Sequence, residues 1–254
     1  MAAETQAETE RPRTFYGQLG KAFLYPLTGH GPYVILAWVL CYAFVGLVIF
    51  LLGVVLPGPA GGYVAIIPLI VRLVLVGYFC AYLMKVIGSS ATGDDQPPNW
   101  PAFSSFWDEV FRPLLLLISA VIVSFGPAGV CRTARFYGAP YMDELMWGLF
   151  VAGLLYLPMA VLAVALFDSI AALNPVVVVA SIVRVWRAYL AACAAMTFVL
   201  ALSFACITYV VPYVPFFGSL LSGAVVLYFL MGEMRILGLL YFHHEQRLGW
   251  FPAR

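Results

Sequence analysis

Arg72 is the residue in this chain that most demands a chemical explanation. It lies inside an apolar stretch, residues 63–87, where a guanidinium at mid-bilayer costs about 2.5–3.5 kcal/mol. A charge so placed pairs with an acid, receives an anion or lipid headgroup, or snorkels to the nearer surface. Asp168 and Glu233 are the acids that fall in or at the edge of other apolar stretches. Both lie toward the opposite bilayer surface from Arg72, so depth disfavours a simple pair. Asp143 and Glu144, in a connection at the outer rim, are reachable by snorkelling. Arg72, Asp168 and Glu233 are thus the candidate ligand or ion-pair residues, with Glu233 and Arg235 also readable as rim charges.

Other familiar chemistries find little support. His243-His244-Glu245 puts two imidazoles side by side, but neighbours on a helix point about 100° apart, and paired histidine ligands on a helix are spaced i, i+4 instead. The five cysteines, Cys41, Cys80, Cys131, Cys193 and Cys206, are scattered without metal-ligand spacing,. There is no G-x-S-x-G nucleophile motif and no glycine-rich phosphate loop,. No catalytic set, metal or cofactor is expected, and the reading is of a non-enzyme.

Two polar-aromatic segments are more informative. Phe103, Phe106, Trp107, Val110 and Phe111 follow helical spacing, with Ser104, Ser105, Asp108, Glu109 and Arg112 on the other face,. After Asn174-Pro175, a cap-and-N1 pair, Ser181, Arg184 and Arg187 form a polar stripe opposite Val176, Val179, Val183 and Trp186. Phe15, Leu19 and Phe23, with Gln18 and Lys21 beside them, repeat the theme near the start. Such helices lie in the headgroup layer, aromatic side down and basic side to water. Phe106, Trp107, Arg184 and Arg187 are the candidate interfacial residues.

The elements that position these residues follow from composition. The 254 residues are 64% hydrophobic and 10% charged, with mean hydropathy +0.98. Soluble domains are about 45–50% apolar and about 25% charged, so the excess must face lipid. Six stretches reach the roughly 20 residues a span requires: 32–56, 63–87, 113–130, 145–168, 188–211 and 215–241. Pro57-Gly58-Pro59 and the Pro212/Pro215 pair mark tight hairpins, Gly126-Pro127 ends the short third span, and Pro68 and Pro158 kink spans 2 and 4,. The expected fold is an all-α polytopic transmembrane helix bundle of about six spans, with short amphipathic interfacial helices before spans 1, 3 and 5. Residues 1–14 read as a disordered tail, 15–242 as one transmembrane domain and 243–254 as a short tail. Ten of thirteen lysines and arginines fall on the side of both termini, which makes that side cytoplasmic in a plasma (inner) membrane protein. A net charge of +1 offers nothing to nucleic acid,.

The loop Gly93-Asp94-Asp95…Pro98-Asn99-Trp100 leading into Phe106-Trp107, the pair Asn174-Pro175, and the tail Gly238-Leu239-Leu240-Tyr241…Leu248-Gly249-Trp250 carry a resemblance. The chain resembles uncharacterised bacterial integral-membrane families built of repeated interfacial-helix-plus-hairpin units. In style it is similar to the membrane domain associated with glycerophosphodiester phosphodiesterases. The resemblance implies a family without an assigned reaction. The phosphodiesterase activity belongs to a soluble domain this sequence lacks, and is not carried over. The functional expectation is a membrane scaffold, or a lipid- or partner-binding protein whose partners are the bilayer and other membrane proteins. The alternative is a small-solute or lipid transporter or channel using kinked spans 2 and 4 and Arg72.

Overall fold

The computed structural model describes residues 14–55, 66–100, 105–138, 142–214 and 218–251. The tail up to residue 13, Pro57-Gly58-Pro59, Phe103, Ser104, Tyr141 and Pro215 lie outside the described residues. Over the described residues eight α-helices follow one another: α1 Phe15–Ala22, α2 Gly31–Val55, α3 Ile66–Ala91, α4 Arg112–Phe136, α5 Met142–Phe167, α6 Pro175–Arg184, α7 Trp186–Ala205 and α8 Gly218–Leu248. Among the described residues there is no strand. Six of these helices, α2, α3, α4, α5, α7 and α8, are long and apolar enough to cross a membrane. The chain is an all-α, multi-pass membrane protein that contacts lipid.

The bundle has a capped end, where α1, α6 and the 92–100 loop lie, and a hairpin end. The last described span is the hub: 72% of the apolar window of α8 is buried, against 6% for α2. Leu227, Met231, Ile236, Leu237 and Leu240 of α8 are fully enclosed, together with Tyr82 of α3, Met159 and Leu162 of α5 and Tyr189 of α7. The α3 and α8 helices pack against each other, with a close approach at Gly238. A Cβ there would overlap Ser90 Cβ and stand 2.8 Å from Ile87 O, so only glycine lets the backbones approach this far.

Prolines act differently from the sequence expectation. Pro68 is the third described residue of α3, in a first turn where no intrahelical N–H is required. The third span does not stop at Gly126-Pro127: α4 continues through Pro127 to Phe136, because a bundle tolerates an interior proline when the helix on either side has no alternative partner for its backbone. Pro158 does lie inside α5. Pro113 and Pro212 each follow a π-helical turn, Trp107–Phe111 and Cys206–Val210. In both, the residue before the proline donates to the first π residue, Arg112 N–H to Trp107 O and Val211 N–H to Cys206 O. The wider turn accommodates the ring and its missing donor.

The interfacial helices are mixed. The first, α1, is a separate helix capped by Thr14, whose Oγ1 accepts from Gly17 N–H at 3.4 Å. Before the fifth span, α6 is likewise separate, its Asn174 Oδ1 accepting from Val176 N–H at 3.0 Å, and it breaks at Val185 (φ −121°, ψ 23°) before α7. Before the third span the expectation is corrected: Phe106 runs through the π turn into α4 without interruption. No residue there forces a break, since Pro113 falls at the start of the α-helical part. The last helix also outruns its expected end near 241, passing a non-helical residue, His244, to reach Leu248.

Candidate functional site

The capped end is tied together by side chains reaching across large sequence separations. Arg235, buried on α8, donates from Nη2 to Asp95 Oδ1 at 2.7 Å and from Nη1 to the Asp94 carbonyl. Its guanidinium stands 4.9 Å from the centre of the Tyr25 ring, a cation–π arrangement. The Tyr25 hydroxyl donates to Gln96 O at 3.2 Å. Burial raises this phenol's pKa, against the opposing effects of Ser89, Ser90 and Arg235, so Tyr25 remains a neutral donor. Trp250 Nε1–H donates to the buried Ser181 Oγ at 2.8 Å, and Trp100 stacks on Tyr82 with centroids 6.0 Å apart. The short sequence motifs of the 93–100 loop and the 238–250 tail are therefore the fastenings of this end.

The expected site residues separate. Arg72 is exposed on the Leu69–Leu73–Val76 face of α3, and has no ion-pair partner among the described residues. The helix turns Gly77, Cys80, Leu83 and Ile87 inward instead. Asp143, one of the two rim acids open to a snorkelling Arg72, pairs with Arg135 of the neighbouring helix instead. Asp168 pairs with Arg112 at 2.8 Å, and the same guanidinium donates to the Asp168 carbonyl at 3.0 Å. Asp168 itself adopts a left-handed backbone (φ 49°) that turns α5 toward α6. Glu233 is buried with its Oε1 unpartnered among the described residues. Phe106 and Trp107 are exposed, the latter stacked on Phe111 at 5.9 Å.

Arg184 and Arg187 come together in a cleft. The α6 stripe is oriented with Val176, Val179 and Val183 outward and Ser181 buried, which swings the arginines toward α8. There they meet Arg247 and His244, with Tyr16 of α1 and Trp186 completing a cavity of about 380 Å³. Arg184 Nη1 donates to Leu248 O at 2.7 Å, and Arg187 lies over the Trp186 ring at 5.2 Å. Phe15 packs edge-on against the His244 ring at 5.7 Å. Among the described residues no acid lines the cavity, and no carboxylate pairs with any of its three arginines. Three guanidiniums with spare donors have the chemistry to bind phosphate-like groups. Arg247 and Tyr16 escaped the sequence reading, which weighed His244 only as a metal ligand, because they sit on two elements whose packing no local pattern reveals.

Below the turn Leu24–Thr28, an apolar groove of about 470 Å³ runs between α2 and α8, bounded by Ile35, Val39, Val225 and Phe229. Arg72 lines neither this groove nor the cleft. Among the described residues no three or more histidine, cysteine or acidic side chains cluster to hold a metal. Comparison with family models, curated proteins and solved structures finds no match to this chain.

Proposed function

We propose that this chain is a non-enzymatic membrane protein that binds anionic lipid headgroups in the Arg184–Arg187–Arg247 cleft and thereby organises the bilayer, or membrane partners, around its capped end. The observation that carries the reading is the convergence of three arginines, each from a different turn, into one cavity whose described lining holds no acid. A phosphodiester brings the missing negative charge and accepts several N–H donors at once. Valines of α6 facing outward beside the cleft set it at the depth of the headgroup layer,. The excess of lysine and arginine on this side favours a cytoplasmic capped end, in a plasma membrane whose inner leaflet is anionic. The transporter alternative loses its main support with Arg72 on the outer surface.

Native mass spectrometry of protein released from nanodiscs of mixed phosphatidylglycerol and phosphatidylethanolamine tests this. The expected result is preferential retention of phosphatidylglycerol, lost in the triple variant Arg184→Gln/Arg187→Gln/Arg247→Gln but kept in Arg72→Gln. Equal retention by the triple variant overturns the reading.

A further inference from the structure

At helical spacing, Tyr241, Phe242, Glu245 and Gln246 fall on the face of α8 opposite His244 and Arg247. They border a separate cavity of about 750 Å³, closed on its other sides by Thr92, Phe251 and the end of α3. The character of this cavity is the reverse of the arginine cleft. Among the described residues its lining contains no lysine, arginine or histidine, and Glu245 is the single charged one. The Tyr241 hydroxyl donates to Glu245 Oε1 at 3.3 Å, and no cation among the described residues pairs with that carboxylate. The Tyr241 and Phe251 rings meet at 79° with centroids 6.3 Å apart, so two aromatic walls form a corner beside the acid. Phe167 stacks behind Phe251 at 5.0 Å and Trp250 behind Tyr241 at 5.8 Å, which fixes both rings in place.

Aromatic faces carry negative quadrupolar potential, and a carboxylate adds a full charge at the same spot. Ring corners of this kind bind substituted ammonium groups, whose diffuse charge and methyl surface suit an apolar, weakly hydrated wall. We infer that this cavity is a binding site for a substituted ammonium group, seated in the corner formed by the Tyr241 and Phe251 rings and neutralised by Glu245. Gln246 and Thr92 border the cavity with polar groups, which suits a ligand extending beyond its ammonium. The inference is independent of lipid binding in the arginine cleft, because the two cavities share no lining residue.

The test is titration of the purified chain in uncharged detergent with tetramethylammonium and choline, followed through tryptophan fluorescence, since Trp250 packs on Tyr241. Saturable binding is expected, weakened about fivefold to tenfold in both Glu245→Gln and Phe251→Leu, and unchanged in the triple arginine variant. The uncharged choline isostere 3,3-dimethylbutanol should not compete; if it binds as well as choline, or if Glu245→Gln binds tetramethylammonium normally, the inference fails. Thermal unfolding of both variants checks that the fold is retained. Repeating the titration in phosphatidylcholine and phosphatidylglycerol nanodiscs separates the sources of the group. A lipid-borne ammonium suppresses tetramethylammonium binding in phosphatidylcholine alone, whereas a site for soluble amines gives the same binding in both.

Discussion

Replacing Asp95 by asparagine keeps an acceptor beside Arg235 and removes the charge. The guanidinium has 6% of its side chain exposed, the carboxylate 52%, and their contact is 2.7 Å. At about 4 Å between charge centres the attraction is about 1 kcal/mol in water and about 4 kcal/mol at an effective dielectric of 20. A half-exposed acid facing a buried base falls between these limits, so Asp95→Asn should cost about 2 kcal/mol. Arg235→Met should cost more, about 3–4 kcal/mol, since it also forfeits the bond to the Asp94 carbonyl and the contact with Tyr25. The decisive quantity is the coupling. In the Arg235→Met background, Asp95→Asn should cost clearly less than in the parent protein. Reversible unfolding in mixed micelles titrated with sodium dodecyl sulfate, read by tryptophan fluorescence, gives all four stabilities. If Asp95→Asn costs the same in both backgrounds, the ion pair does not fasten the capped end and the account of Arg235 is wrong.

Two further outcomes follow from packing. Glu233 is a buried carboxyl with an unpartnered oxygen, so Glu233→Met should raise stability by about 1–3 kcal/mol in the same titration; a loss would mean the carboxyl has a partner that matters. Gly238→Val places methyl groups where Ser90 and the Ile87 carbonyl already lie, and should cost at least about 3 kcal/mol or prevent the α3–α8 contact, seen as loss of a disulfide cross-link between cysteines introduced at Ile87 and Leu239. Formation of that cross-link at the normal rate in the valine variant would refute the close approach.

The spans were legible because apolar length is a local property: a window of residues must be lipid-compatible wherever it ends up. Asn174 and Pro175 were legible for the same reason, since a cap acts on the next turn of its own chain. The fate of Arg235 was not, because its acid lies in a loop that only the packing of α3 and α8 brings near. The arginine cleft was half legible. Arg184 and Arg187 share a stripe on one local pattern, whereas Arg247 and His244 belong to a segment that reads as a departing tail. That segment remains helical because Phe15 of α1 covers both histidine rings and Arg184 caps the Leu248 carbonyl. Arg72 shows the opposite failure, a conspicuous charge whose helix turns it away from every other titratable group that the sequence had offered it.

The burial of α8 bears on how the protein is made. Spans enter the bilayer in the order of synthesis, yet the helix around which the others pack is the last of the six to emerge. Until it does, α3 and α7 lack the helix they chiefly pack on, and those faces must be sheathed by lipid tails or by the insertion machinery. The α4–α5 pair can form early, because those two helices pack chiefly on each other. A ribosome stalled before Gly218 leaves that pair without the hub that gathers α2, α3 and α7, an obvious substrate for membrane quality control.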